Sequence, residues 1–331
     1  MKKSLVALAA LAVVGAASAQ SSVTLYGYGD MGIGQDVGLD QKVQFNPTTV
    51  CDVCGIRIGM KGSEDLGGGL KANFQLESNA YDENGNGSGF NRATWFGISG
   101  GFGAVQLGRQ VRNSVVAGVL GSPAGWRGSD PDVAVGIRYS INNNIGASSR
   151  QSAMVNYITP NFGGFNARVG YETAADNGAN GAVVDIGLFY ANGPVALSYG
   201  YIKAENSTTN QGIHGTYDFG MAKLFVGFHD RGEISANAGT YATSATTGLT
   251  TITGTTVTPF YPEAKGWNIG ATVPLGATTI FVDYARNNDT EVDAVELGAD
   301  YALSKRTSLT AFLAKTKDLD TGYFIGVRHS F

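Results

Sequence analysis

The strongest constraint on this chain is an alternation of apolar with polar or small residues at a period of two. Leu70, Ala72, Phe74 and Leu76 interleave with Lys71, Asn73, Gln75 and Glu77. Val184, Ile186, Leu188 and Tyr190 interleave in the same way with Asp185, Gly187, Phe189 and Ala191. The pattern returns at Trp267 to Val273, Ile280 to Tyr284 and Val295 to Leu303. Successive side chains of a strand point to opposite faces, so each segment reads as a strand with one apolar face. Such strands build a sandwich whose apolar faces meet in a core, or a barrel whose apolar faces meet lipid.

Charge and turns favour the barrel. Only 15% of the residues are charged, against about 25% in a typical soluble domain, so much of this surface does not face water. Yet beyond the first 19 residues no segment carries the roughly 20 consecutive apolar residues of a membrane helix. Short turns such as Leu66 to Gly69, Gly100 to Gly103, Asn161 to Gly164, Asn192-Gly193, Asp218 to Gly220 and Leu275 to Ala277 alternate with longer polar connections. Short turns at one rim and long loops at the other mark a transmembrane β-barrel. Tyr26, Phe162, Tyr190, Phe219 and Tyr301 near strand ends suit its interfacial girdles.

Strands are expected at about 23–35, 54–65, 69–80, 91–100, 103–110, 150–159, 164–174, 182–192, 193–204, 211–219, 222–230, 264–274, 277–288, 293–303, 306–316 and 322–331. The fold class is therefore all-β, a 16-stranded antiparallel transmembrane β-barrel, wide enough for an aqueous channel. A closed barrel has no free edge, so the last strand, ending at Phe331, should pair with the first. Two connections are long: 111–149, after the fifth strand, and 231–263, which is Thr-rich and expected to form its own exposed hairpin.

The N-terminus sets the compartment. Lys2 and Lys3, the apolar run Leu5 to Val14 and Ala17-Ser18-Ala19 read as a signal peptide over 1–19, followed by the barrel over 20–331. Removing two lysines from 23 Lys+Arg against 27 Asp+Glu leaves a net charge of -6, which argues against nucleic acid as a partner. Cys51 and Cys54 are the only cysteines. Fully extended, their Cα atoms stand ~10 Å apart, too far to bridge; in a β-turn they come within ~7 Å. In an oxidising compartment we expect a disulfide-closed turn, with free thiols as the alternative.

Several motifs are decoys. Gly27 to Gly32 matches G-x-G-x-x-G but lies inside a strand, with no helix to receive a pyrophosphate. Its glycines are expected to make room for a neighbouring subunit. Gly97 to Gly101 matches a nucleophile elbow yet flanks a glycine turn. His214, His229 and His329 fall on separate strands without ligand spacing. No catalytic set, metal site or cofactor is expected, and the chain is not read as an enzyme.

Longer blocks carry a resemblance. RIGMKGSEDLGGGLKANFQLES (57–78), FGAVQLGRQ (102–110), YITPNFGGF (157–165), LSKRTSL (303–309) and the terminal GVRHSF resemble the general trimeric porins of β-proteobacterial outer membranes, from Val23 to Phe331. The resemblance implies a homotrimer in the outer membrane, in contact with lipid and lipopolysaccharide, and a third loop folded into the lumen. It also implies that Phe331 is a signal read during outer-membrane assembly. It further implies an arginine cluster on the wall opposite that loop, at Arg57, Arg92 and Arg150, with Glu77 as a luminal carboxylate. Strand parity agrees for Arg57, flanked by Ile56 and Ile58, and for Arg150, opposed by Ala153, Val155 and Tyr157. For Arg92, parity would also turn Phe96 and Ile98 inward. Arg109 shares parity with Val105 and Leu107, and enters as a luminal residue only if Gly108 reorients it. The third loop departs from the family pattern; there we expect Asp130 and Asp132 to face the arginines.

The function expected is passive diffusion of ions and small hydrophilic solutes through a water-filled channel, with anions preferred at the arginine constriction. The bland alternative is that each arginine only balances a luminal carboxylate or a lipopolysaccharide group. A substrate-specific porin with a solute site, or an adhesion barrel using the 231–263 loop, are the rival functions.

Overall fold

The computed structural model describes residues 22–38, 42–47, 54–81, 89–125, 128, 130–137, 149–173, 181–205, 208–232, 234–243, 250–261 and 263–331. The expected signal segment and Cys51 lie outside the described residues. Sixteen strands form the wall: β1 Ser22–Gln35, β2 Gly55–Gly67, β3 Leu70–Tyr81, β4 Ala93–Gly100, β5 Gly103–Val111, β6 Arg150–Ile158, β7 Phe165–Glu172 and β8 Val183–Asn192, then β9 Val195–Ala204, β10 Thr209–Asp218, β11 Lys223–Arg231, β12 Ala264–Leu275, β13 Thr278–Asn287, β14 Asp293–Ala302, β15 Thr307–Thr316 and β16 Gly322–Ser330. Each pairs antiparallel with its successor. The ring closes where β16 meets β1, from Tyr28 opposite Ser330 to Gln35 opposite Tyr323. Closure leaves no unpaired edge in a medium that offers backbone groups no hydrogen bonds.

The alternation runs inside out relative to a soluble protein. On β14, Leu297 is 52% exposed on the outer face while its neighbour Glu296 is 0% exposed within the barrel. Turns are tight at one rim: Gly67, Gly68 and Gly69 all hold positive φ, at 83°, 61° and 81°, a conformation that glycine adopts without steric cost. The opposite rim carries the long connections. One of them forms its own hairpin, Ile234–Thr243 against Thr250–Tyr261, as its composition suggested.

Two glycines of β1, Gly27 and Gly32, make room for the chain's own closure. A Cβ at Gly27 would lie 2.6 Å from the Phe331 ring, and one at Gly32 would lie 2.6 Å from that of Phe324. Gly27 and Phe331 also exchange backbone hydrogen bonds, at 3.0 and 3.3 Å.

The third loop enters the barrel. It carries helix α1, Asn113–Val119, which packs on β7 to β10, and helix α2, Pro131–Ala134, which packs on β12 to β15. Luminal side chains hold its backbone: Ser198 Oγ donates to Ala117 O at 2.7 Å, Asn268 Nδ2 to Gly121 O at 2.8 Å and Asn287 Nδ2 to Val135 O at 2.9 Å. The Asp185 carboxylate accepts the backbone N–H groups of Asn113 and Ser114. Between the helices, Ala124 rests on an apolar seat of Phe281, Phe312 and Phe324, which Val37 and Cys54 also touch. These phenylalanines occupy luminal parity because a loop, not water, covers them.

Candidate functional site

The wall facing the inserted loop is built by β1 to β4, β6 and β16. Cross-strand register sets Tyr28 of β1 opposite Arg57 of β2, and Asp30 opposite Arg328 of β16. The Arg57 guanidinium lies 4.9 Å from the Tyr28 ring centre and that of Arg328 lies 4.6 Å from it. Arg328 also grips Asp30 at 2.5 and 2.6 Å. One aromatic ring thus spaces two cations that would otherwise repel, each gaining a cation–π contact.

Arg92 lies just before β4 and is therefore free of its parity. The wall residues Phe96 and Ile98 stay outside, 63% and 48% exposed, while Arg92 Nε reaches Glu77 at 2.6 Å and Nη1 reaches Asn79 at 3.0 Å. Glu77 further accepts Tyr26 OH at 2.8 Å, and Gln75 Nε2 donates to that same hydroxyl at 2.6 Å. Arg150 donates to Ser149 Oγ at 2.9 Å and interacts electrostatically with Arg92, Arg57, Glu77 and Arg109. The structure brings Arg57, Arg92, Arg150 and Glu77 together, and these four side chains carry a net charge of +2.

Three expected site residues lie elsewhere. Arg109 keeps the outer parity of Leu107, opposite Thr94, and donates to Asn91 O at 2.5 Å and Ser152 Oγ at 2.6 Å. Gly108 does hold φ 125°, but the irregular step in β5 leaves Arg109 outside and turns Gln110 inward against Gln151. Asp130 and Asp132 do not face the arginines. Asp130 accepts Ser122 Oγ at 2.8 Å, and Asp132 lies 3.5 Å from His229 Nε2, against β11. Both are buried between loop and wall, at 5% and 1% exposure, where a carboxylate needs local donors more than a distant cation.

Sequence reasoning set Tyr26 in the interfacial girdle, whereas its hydroxyl turns inward to Glu77 and Gln75, and it missed Tyr28 and Arg328. Parity sets Arg328 opposite the apolar face of β16, but only the structure shows that it meets Tyr28. It also treated His214 and His229 as isolated, whereas their rings lie 4.9 Å apart on adjacent strands, with His229 Nε2 3.2 Å from Asn268 Oδ1. Among the described residues no cluster suits a metal ion.

This architecture has known counterparts. The description of the Gram-negative porin family matches residues 5–321. The chain is 32% identical to outer membrane porin protein 32 of Delftia acidovorans and 30% identical to a major outer membrane protein P.IB of Neisseria lactamica, covering all of each chain in both comparisons. It superposes on an anion-selective porin from Comamonas acidovorans with a TM-score of 0.71 and 25% identity, over 94% of this chain and 100% of that one. The trimer form of OmpT of Vibrio cholerae shares the fold at a TM-score of 0.61 and 14% identity, over 94% and 99% of the two chains. A closed sixteen-stranded barrel, a loop folded into its lumen and a family match across nearly the whole sequence agree: this chain belongs to the Gram-negative porins, channel-forming barrels of the outer membrane.

Proposed function

We propose that this porin is a passive diffusion channel that prefers anions, with Arg57, Arg92 and Arg150 forming its constriction against the third loop. The observation that carries the reading is the +2 balance of the cluster: Glu77 is the one carboxylate within it, and Arg92 holds that carboxylate. An uncompensated guanidinium ~8 Å from a passing ion, at an effective dielectric near 20, is worth about 2 kcal/mol. That is favourable for an anion and opposed to a cation, and exceeds a tenfold bias. The acidic balance of the whole chain acts from loops and rims, and charges beyond ~10 Å are screened at 0.1 M salt.

Residues 1–19 act as the export signal, ahead of the barrel at 20–331, and the mature chain assembles as a homotrimer among outer-membrane lipid and lipopolysaccharide. The anion-selective and trimeric relatives support this reading. Cys54, which carries no free thiol, bridges to Cys51 and fixes the entry of the first loop into β2 three residues before Arg57. Phe331 serves as the recognition end of β16 during assembly.

Planar-bilayer recording in a KCl gradient tests the central claim. Stepwise conductance with a reversal potential on the chloride side is expected. The triple variant Arg57→Gln, Arg92→Gln, Arg150→Gln should shift it toward zero by most of its value. A cation-selective wild type, or an unchanged triple variant, would refute the arginine assignment.

A further inference from the structure

Between α1 and the strands β3 to β7 lies a cavity of about 370 Å³, lined among others by Gln75, Arg92, Trp95, Gln110, Asn156 and Arg168. A directional relay of amides points into it. Asn113, held by Asp185, donates from Nδ2 to Asn156 Oδ1 at 2.9 Å, and Asn156 Nδ2 donates to Gln110 Oε1 at 3.0 Å. That bond orients the Gln110 amide and leaves its Nε2 donor to be satisfied elsewhere.

Gln110 is 6% exposed, and its Nε2 has no hydrogen-bond partner among the described residues. Arg168 Nε is in the same condition, its guanidinium lying 5.2 Å from the Phe189 ring centre. Two buried donors without protein acceptors are an expensive arrangement unless water or a solute supplies the acceptors. Glu77 also lines the cavity but is engaged by Arg92 and Tyr26. Arg92 and Arg168 against Glu77 leave the lining with a charge of +1.

The complementary group accepts only, is anionic and is planar, because a guanidinium edge matches two coplanar oxygens better than a tetrahedral anion. Beside the donors stands an apolar surface. Trp95 is held by its Nε1 donating to Gln75 Oε1 at 3.1 Å, and Val116 of α1 and Ile158 of β6 complete the lining. A ring offers the indole a stacking partner that an alkyl chain does not.

We propose that this cavity is a binding site for small aromatic carboxylates, in which Gln110 and Arg168 take the carboxylate and Trp95 takes the ring. The site deepens the channel reading and rests on it, since a solute reaches it only through an open lumen.

The test uses the full-length protein in planar bilayers bathed in KCl, with sodium benzoate, sodium acetate or inorganic phosphate added to one side. Benzoate should interrupt the current saturably, at a half-blocking concentration at least about tenfold below those of acetate and phosphate, from stacking plus ring burial. Gln110→Leu and Trp95→Ala should each raise the benzoate value by about tenfold, as expected for losing one charge-assisted hydrogen bond or the ring contact. Equal, non-saturating effects of the three anions on the wild type would overturn the site while leaving the channel standing. Variants that block like the wild type would overturn the assignment of residues. Absence of any stepwise conductance would instead overturn the channel reading. The wild-type comparison of the three anions decides the matter even if a variant fails to fold.

Discussion

At the scale of single residues, the proposed anion preference rests on one carboxylate among three arginines. Glu77 neutralises Arg92, so Glu77→Gln should raise the preference for anions, read as a larger chloride-side reversal potential; a shift toward cations would contradict the charge balance argued here. Arg57 was legible because Ile56 and Ile58 flank it in a clean alternation. Arg92 was legible only through its motif. The strand begins one residue later, and a residue outside the ladder is not bound to its parity. The inward placement of Arg328 also followed from parity, but its role did not. Sharing Tyr28 with Arg57 depends on β1 pairing with β2 on one side and β16 on the other.

At the scale of elements, the third loop is held by hydrogen bonds from β8, β9, β12 and β13. Asp185→Ala leaves the backbone N–H groups of Asn113 and Ser114 without their acceptor, at a cost of about 1–3 kcal/mol for each buried donor. The barrel should still form, because its wall hydrogen bonds are untouched, but open-channel current noise should rise as α1 loosens. Noise equal to the wild type would mean that Ser198 and Asn268 suffice as anchors. The expectation that Asp130 and Asp132 face the arginines failed at this scale. A loop 38 residues long, from 112 to 149, has no periodicity to say which side it shows to water. Its carboxylates went where Ser122 and His229 could meet them.

At the scale of the whole molecule, closure is the step on which everything else depends. Gly32→Leu would drive a side chain into the Phe324 ring and the Ile325 carbonyl, an overpacking cost of about 1–3 kcal/mol or more. The fraction of chain reaching the heat-modifiable barrel form on gel electrophoresis should fall, and recovery equal to the wild type would show that β1 and β16 close without that space. The sequence by itself determined the strands, their inside-out faces, their number and the identity of the closing pair. Each of these follows from a two-residue period or from the requirement that no backbone edge be left in lipid. Only the tertiary structure decided where the third loop lies, which arginines share a ring, and why three phenylalanines face the lumen. Those outcomes depend on contacts between residues far apart in the chain, where charge, burial and hydrogen-bond demand are settled jointly rather than by local pattern.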